Sequence, residues 1–502
     1  MGVIQKQSIN SSIFIFIGFF IGAFNMLVLF PAFFSPAEIG LTRAMIDTSL
    51  TLASLCSLGA LPVIYKFFPF YNTYLGPKKN DLPIITLIVS IIGFIIIFAL
   101  GFIFKDFIIR KLGKSPEFGN YFFYVFPFTF LLMLFNWSEA FAWCIRKTVL
   151  SNFLKETVVR LLTSLLIIFY ALKWIGFGSF ITYFNLIFLV PVVIILVMIV
   201  RSGQIEIKWK PISSVTSRLR KRMLSFALFI FGAQFLNVLA RTNDTFLILG
   251  LRGLTDTGIF SIALYVTAVL EIPQRSMNAI SIPILAESWK NKDLANISHV
   301  YNKSVANLLV IGLGLFGIIW LNIHNLTFFL NGLTHKGAQN YGMIESIVLI
   351  MGIARVIDLG TGINSQIIGT SNFWKFDFYT NVFYTFFSIP LNFILIKYFG
   401  LVGLAYSNLF ALTLYNSIRY LFLWKKFKFQ PYTLANLWIL LLTSGIYLSI
   451  YMIPQFSNIY LDTIIRTIIF LSTFISSVYL TNAAPDLINM ANKQFKRIAQ
   501  VS

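Results

Sequence analysis

Three histidines, two cysteines and eighteen acidic residues make up nearly all the metal-ligating and acid–base chemistry that 502 residues carry. His299, His324 and His335 are scattered without ligand spacing and are expected at the surface rather than on a metal. Cys56 and Cys144 lie in or at the edge of apolar runs, where packing is expected of them rather than a disulfide. There is no G-x-x-x-x-G-K-[ST] phosphate loop, which argues against a built-in NTPase, and no H-E-x-x-H. Polar segments on one side of the apolar runs reach only roughly 15 to 20 residues and hold no D-x-D pair, leaving little room for a glycosyltransferase or polymerase site. The chain is therefore expected to be no enzyme and to need no cofactor.

Charge is scarce as well, at 11% of residues, against about a quarter in soluble globular proteins. What fills the chain is apolar: 58% of residues are hydrophobic and the mean hydropathy is +0.81. Runs of about 20 apolar residues, enough to cross a ~30 Å hydrocarbon core, recur from end to end. Fourteen spans are expected, at 9–31, 44–67, 83–105, 119–143, 152–172, 179–200, 224–250, 258–285, 303–325, 343–366, 374–397, 401–423, 434–453 and 459–481. The first is too long, and lacks the A-x-A-like site, for a cleavable signal. The fold class is an all-α polytopic membrane protein.

The net charge of +21 is explained by where the cations lie. With the N-terminus cytoplasmic, the inner segments hold 24 Lys and Arg and the outer ones nine. This asymmetry fits the positive-inside rule with both termini inside. The densest block, Lys208 to Arg222, is expected to set topology and to touch anionic headgroups. Aromatic residues are not interleaved with it as a stacking platform would need, so no nucleic acid partner is expected.

The chain also repeats itself. FFSPAEIGL (33–41) resembles RGLTDTGIF (252–260), each with an acid two residues before a glycine, and Gly40 and Gly258 are 218 positions apart. ALPV (60–63) faces SIPI (281–284), with Pro62 and Pro283 separated by 221. KWIGFGSFITYFNL (173–186) matches KYFGLVGLAYSNL (397–409), with Asn185 and Asn408 separated by 223. The expected organisation is a six-helix half at 1–200, a basic connector at 201–223, a second half at 224–423, and two further helices with a tail at 424–502. Six is even, so the halves run parallel and should be related by a pseudo-two-fold axis along the membrane normal. Transporters built this way bind substrate between their halves.

Arginines inside the spans carry acids one turn away: Glu156/Arg160, Arg241/Asp244, Glu271/Arg275, Arg355/Asp358 and Asp462/Arg466. Arg43/Asp47 repeats the spacing, while Arg419 is expected to snorkel to an interface. Such a pair lowers the cost of inserting either charge and locks helices, the expected role at Glu156/Arg160 and Asp462/Arg466. Arg241, Arg355 and Arg275 instead lie about 14, 18 and 26 Å from the outer ends of their helices, at ~1.5 Å per residue. Their faces are polar: Gln234, Asn237, Arg241 and Asp244 on one helix, Thr267, Glu271, Gln274, Asn278 and Ser281 on the next. Charges at this depth cost ~2.5–3.5 kcal/mol each on insertion scales, so such stripes are expected to line a wet chamber. A guanidinium can exchange a carboxylate for a phosphate. Arg241, Arg275, Arg355, Gln234, Asn237, Asn278 and the mid-helix Asn25 are the candidate binding residues; Asp47, Asp244, Glu271 and Asp358 are charge partners or ion-coupling candidates. A structural network of struts remains the other reading of the same charges.

With two six-helix halves, two extra helices, FFSPAEIGL and the run from Arg241 to Trp289, the chain resembles the oligosaccharide flippases, kin to O-antigen and lipid II flippases, of the multidrug/oligosaccharidyl-lipid/polysaccharide superfamily. The resemblance implies an inner-membrane protein of bacteria that moves polyprenyl-pyrophosphate-linked oligosaccharide outward by alternating access, in lipopolysaccharide or other surface polysaccharide synthesis. It implies a cationic cavity, which Arg241, Arg275 and Arg355 fit, and membrane lipids and a polysaccharide polymerase or other assembly proteins as partners. An inside-negative potential would favour outward movement of two negative charges by ~4.6 kcal/mol per 100 mV, at ~2.3 per charge. A cation-coupled multidrug extruder of the same superfamily is the alternative; it would use carboxylates where this chain pairs acids with arginines.

Overall fold

The computed structural model describes residues 3–112, 114–209, 211–333 and 341–499. Among them the chain is helical and contains no strand. Among the described residues nine helices are individually long and apolar enough to cross a membrane, and up to twelve spans result when each bent helix pair counts as one. The chain is thus an all-α polytopic membrane protein. It forms two compact units, the first running through Ser261, the second from Ile262 to Gly332 and again through the described residues from Tyr341 onward. This division by compactness differs from the expected division by repetition at 200–223.

In the first unit, α1 (Val3–Phe24) runs through a π-helical turn, Asn25–Leu29, to Phe33. The helix α2 (Pro36–Cys56) starts where the sequence asks for a start. The Ser35 hydroxyl accepts from the Glu38 amide, the Glu38 carboxylate accepts from the Ser35 amide, and Pro36 takes the first helical position. Gly59, at φ 79°, opens α3 (Ala60–Tyr74), bent 48° from α2. Then come α4 (Leu82–Ile103), α5 (Val125–Cys144), α6 (Val159–Ala171), α7 (Phe177–Asn185), α8 (Leu189–Arg201) and α9 (Ser214–Leu251). α5 is the unit's core, packed on α2, α3 and α8. α4 turns Ile92, Ile95, Ile96 and Phe102 outward, as a lipid-facing helix does. The expected connector 201–223 is helical from Ser214, because Ser213 caps α9 and Asp81 accepts from both Ser213 and Thr216.

α10 (Leu254–Ala268) begins in the first unit. A Cβ on Gly40 would overlap the Leu254 carbonyl oxygen, and one on Gly258 would overlap the Pro36 carbonyl oxygen. Pro36 and Leu254 are 218 apart, as are Gly40 and Gly258. The two stretches therefore make the same contact on each other, reciprocally. Gly40→Ala forces the two backbones apart and is expected to cost about 1–3 kcal/mol. Gly232→Ala, with nothing within 4 Å of its added methyl, should leave the melting temperature of the detergent-purified protein unchanged or slightly higher; equal melting of both variants would remove the contact's importance.

In the second unit, α11 (Glu271–Lys290) is bent 49° from α10, matching the 48° bend in the repeat-equivalent pair α2–α3. α12 (Leu294–Leu321) is central, and α13 (Ile323–Leu333) follows. α14 (Met343–Gly360) and α15 (Asn364–Thr370) are bent 46° at Gly362, whose φ is 68°. A single helical run from Trp374 to Phe427 is broken by non-helical Gly400, which separates the two spans expected at 374–397 and 401–423; we call it α16. Repeat-equivalent Asn185 and Asn408 both donate to the carbonyl one turn back, Ile181 and Leu404.

The final helices are α17 (Leu434–Tyr451), α18 (Ile459–Thr481) and α19 (Pro485–Ala499). Leu309, Leu313, Phe470 and Phe474 form the apolar core between α12 and the appended helices. Glycines at 314 and 317 make room for the two phenylalanine rings. Cys56 is buried, Cys144 is half-buried, and both are free thiols, as expected.

Candidate functional site

The paired charges are built on the bent and broken helices. In the second unit, Glu271 sits in the first turn of α11, where a carboxylate is favoured by the helix dipole. One of its oxygens meets Arg275 at 2.9 Å and the other meets Arg355 of α14 at 2.5 Å. The expected pair Glu271/Arg275 is therefore present, but Arg355 does not take Asp358 as its described ion-pair partner. Arg355 and Asp358 are three residues apart, whereas the intrahelical pairs that close are four apart. Arg355 crosses to Glu271 instead.

Asp358 accepts from Gln274 at 3.1 Å and from Asn416 at 2.8 Å, and Asn364 donates in turn to Asn416 at 3.0 Å. The result is one carboxylate shared by two cations beside a second carboxylate held by amides. Arg275 has 75% of its side chain exposed, while Arg355 and Glu271 have 24% each. Asn278, one turn beyond Gln274, is half-buried and leaves its Oδ1 without a hydrogen-bond partner. On the same stripe, Thr267 and Ser281 are buried.

Deeper in this unit lies a pair that local spacing missed. Arg419 is 2% exposed rather than snorkelling. It binds Asp377, donates from Nε to Thr380 at 3.2 Å, and stacks 3.8 Å over the Tyr415 ring. Ser365 also donates to Asp377, and Tyr415 donates to Asn381. A recoverable signal existed, because Asp377/Arg419, Asn381/Tyr415 and Asn392/Ser407 are each centred within about two residues of Gly400. Folding the sequence into a hairpin at that glycine aligns all three.

In the first unit, Arg43 meets Asp47 at 2.7 Å, and Thr245 of α9 donates to the same carboxylate. Thr51 and Thr242 are hydrogen-bonded one turn along. Asp47 is 3% exposed in its side chain and Arg43 30%. α9 thus presents two polar faces. Thr242 and Thr245 pack on α2, whereas Asn237 and Arg241 are exposed and Gln234 and Asp244 half-buried.

Asn25 was a candidate for a binding cavity, yet it is 4% exposed. Its amide donates to the Arg160 carbonyl at 2.9 Å and accepts from Ser164 at 2.6 Å. It clamps two helices at the π-turn, where the widened backbone turn re-aims side chains, and we place it outside the binding set. Glu156/Arg160 and Asp462/Arg466 close as expected, at 2.9 and 2.8 Å. Of the histidines, His299 is exposed, His324 pairs with Glu345 at 3.1 Å, and His335 lies outside the described residues. Among the described residues there is no cluster of three or more His, Cys, Asp or Glu that could hold a metal ion.

No protein-family model matches the chain, and no curated protein matches it in sequence. Solved structures do match. Lipid II flippase MurJ in an inward closed conformation is similar at TM-score 0.74 and 16% identity, covering 96% of this chain and 100% of that one. A multidrug resistance MATE family transporter of the MOP superfamily, inward-facing, is similar at TM-score 0.65 and 15% identity, covering 80% and 93%. A MOP superfamily transporter from Pyrococcus furiosus, described by its reverse polarity of binding pocket, is similar at TM-score 0.57 and 15% identity, covering 83% and 94%. The chain has the fold that this flippase and the MOP superfamily transporters share.

Proposed function

We propose that the chain is a flippase that moves a polyprenyl-pyrophosphate-linked oligosaccharide from the inner to the outer leaflet by alternating access, in the synthesis of cell-surface polysaccharide. The observation that carries this reading is Glu271, one carboxylate bonded to two arginines, with Arg275 largely exposed. The three side chains sum to one positive charge. A pyrophosphate can displace the carboxylate because a guanidinium fork matches phosphate oxygens bidentately. Gln274 and Asn278 on the same helix supply amide groups for sugar hydroxyls, and Asn237 and Arg241 on α9 offer a second exposed polar stretch. The likeness in fold to a lipid II flippase supports the reading. We infer multi-pass insertion in the bacterial inner membrane with both termini cytoplasmic, an orientation that the distribution of Lys and Arg supports.

A cation-coupled multidrug extruder is less well supported. It would present a carboxylate to a cationic drug or coupling ion, whereas Asp47 and Glu271 already bind arginines and Asp358 already accepts from two amides. The test is reconstitution with a fluorescent polyprenyl-pyrophosphate oligosaccharide under an imposed inside-negative potential. Transfer that rises with potential and falls in at least one of Arg241→Ala, Arg275→Ala and Arg355→Ala is expected. Absence of transfer by folded wild type, with extrusion of a cationic dye instead, would put the extruder first.

A further inference from the structure

Where α5 ends, the chain turns through Arg146 and Lys147 into the short helix Thr148–Asn152, with Arg146 in the left-handed region at φ 62°. Against this turn lies a partly open cavity of about 310 Å³ lined by Phe14, Arg146, Lys147, Val149, Leu150 and Phe153. Its wall is apolar except for two cations, which are sequence neighbours in one turn. The Phe14 and Phe153 rings meet at 4.8 Å. Phe153 also opens a π-helical turn, Phe153–Val158, a departure from α-geometry that recurs at functional sites.

The depth of this cavity can be read from its neighbours. Trp143 is 43% exposed, packs its ring 5.9 Å from that of exposed Tyr65, and donates its indole N–H to Ser151 at 3.0 Å. Partly exposed Trp and Tyr at a helix end mark the level of the lipid headgroups. An apolar hollow at that level, rimmed by an arginine and a lysine, is complementary to a molecule with a hydrocarbon chain beside a negative charge. None of the paired intramembrane arginines lines it, and it has no amide or hydroxyl side chain for a sugar.

We propose that this cavity is a binding site for one anionic phospholipid, with an acyl chain against Phe14, Val149, Leu150 and Phe153 and the phosphate against Arg146 and Lys147. The site is separate from the flippase reading and does not depend on it. Retention of the lipid by the intact protein is the direct test: detergent-purified chain is offered equal amounts of phosphatidylglycerol and phosphatidylcholine, and bound lipid is counted by native mass spectrometry.

Wild type should retain phosphatidylglycerol in preference to phosphatidylcholine. A basic side chain near an anionic surface is worth about fivefold in binding, so Arg146→Gln with Lys147→Gln should weaken phosphatidylglycerol retention roughly thirtyfold. Leu150→Trp, which fills the hollow, should lower retention of both lipids while leaving the cations in place. Lys397→Gln, at a cation that does not line the cavity, should change nothing, and melting temperature reports folding in each case. Equal retention of the two lipids by wild type, or undiminished phosphatidylglycerol retention by a folded charge-neutralised or Leu150→Trp variant, would overturn the proposal.

Discussion

Arg466→Ala is expected to destabilise the second unit by about 3–5 kcal/mol, the range for removing one partner of a buried ion pair. Asp462 and Arg466 have 2% and 5% of their side chains exposed and meet at 2.8 Å. The guanidinium also donates to the Ile450 and Ile453 carbonyls at 2.9 and 2.8 Å, satisfying the C-terminal end of α17. Asp462 accepts in addition from Asn325 of α13 at 2.7 Å and from the Phe456 amide at 3.1 Å. Truncating Arg466 leaves a buried carboxylate with only neutral donors and takes a donor from two backbone carbonyls, of which that of Ile450 still accepts from the Ile453 amide. The purified variant should melt several degrees below wild type. Asp462→Asn combined with Arg466→Leu should recover part of the loss, because no uncompensated charge remains. Wild-type melting of Arg466→Ala would mean that α17 and α18 are held by the apolar core around Phe470 and Phe474 alone.

The second large effect is on transport. Arg355→Ala should lower substrate affinity about 10- to 100-fold, taking ~1.5–3 kcal/mol for a charge-assisted hydrogen bond and 1.4 kcal/mol per factor of ten. Arg355→Lys should restore only part, since an ammonium cannot reproduce the planar fork. Glu271→Gln separates a binding site from a strut. Glu271 holds both Arg275 and Arg355, so a strut loses stability whichever partner is changed. In a binding site the carboxylate competes with the pyrophosphate, and removing its charge should tighten substrate binding while Arg355→Ala weakens it. Affinity for the fluorescent lipid-linked oligosaccharide, measured with melting temperature on both variants, decides the matter. Loss of affinity in both, in step with lost stability, would assign the triad to helix bracing.

Reading the charges from spacing succeeded where both partners lie on one turn of one helix. Arg43/Asp47, Glu156/Arg160, Glu271/Arg275 and Asp462/Arg466 are all four residues apart and all close. It failed where a side chain had a choice between its own helix and a neighbour. Arg355 chose Glu271, and Asn25, a lone polar residue in a long apolar run, hydrogen-bonds another helix's backbone and a serine instead of facing a cavity. A polar residue in an apolar helix must find a partner; the residue type alone does not say whether that partner is protein, water or ligand.

The sequence by itself determined the class of protein, because hydrocarbon thickness fixes how long an apolar run must be and hydropathy is a sum over local residues. It separated the two spans on either side of Gly400, but not the bends at Gly59 and Gly362, which fall inside the expected spans 44–67 and 343–366. It also exposed the repeat, whose Gly40 and Gly258 meet reciprocally. Tertiary structure alone decided which helix faces oppose one another. Arg419 met Asp377 from 42 residues away, and Asp358 was handed to Gln274 and Asn416. Within one helix, periodicity orders residues around an axis, but the rotation of that axis against its neighbours is set by packing summed over the whole bundle.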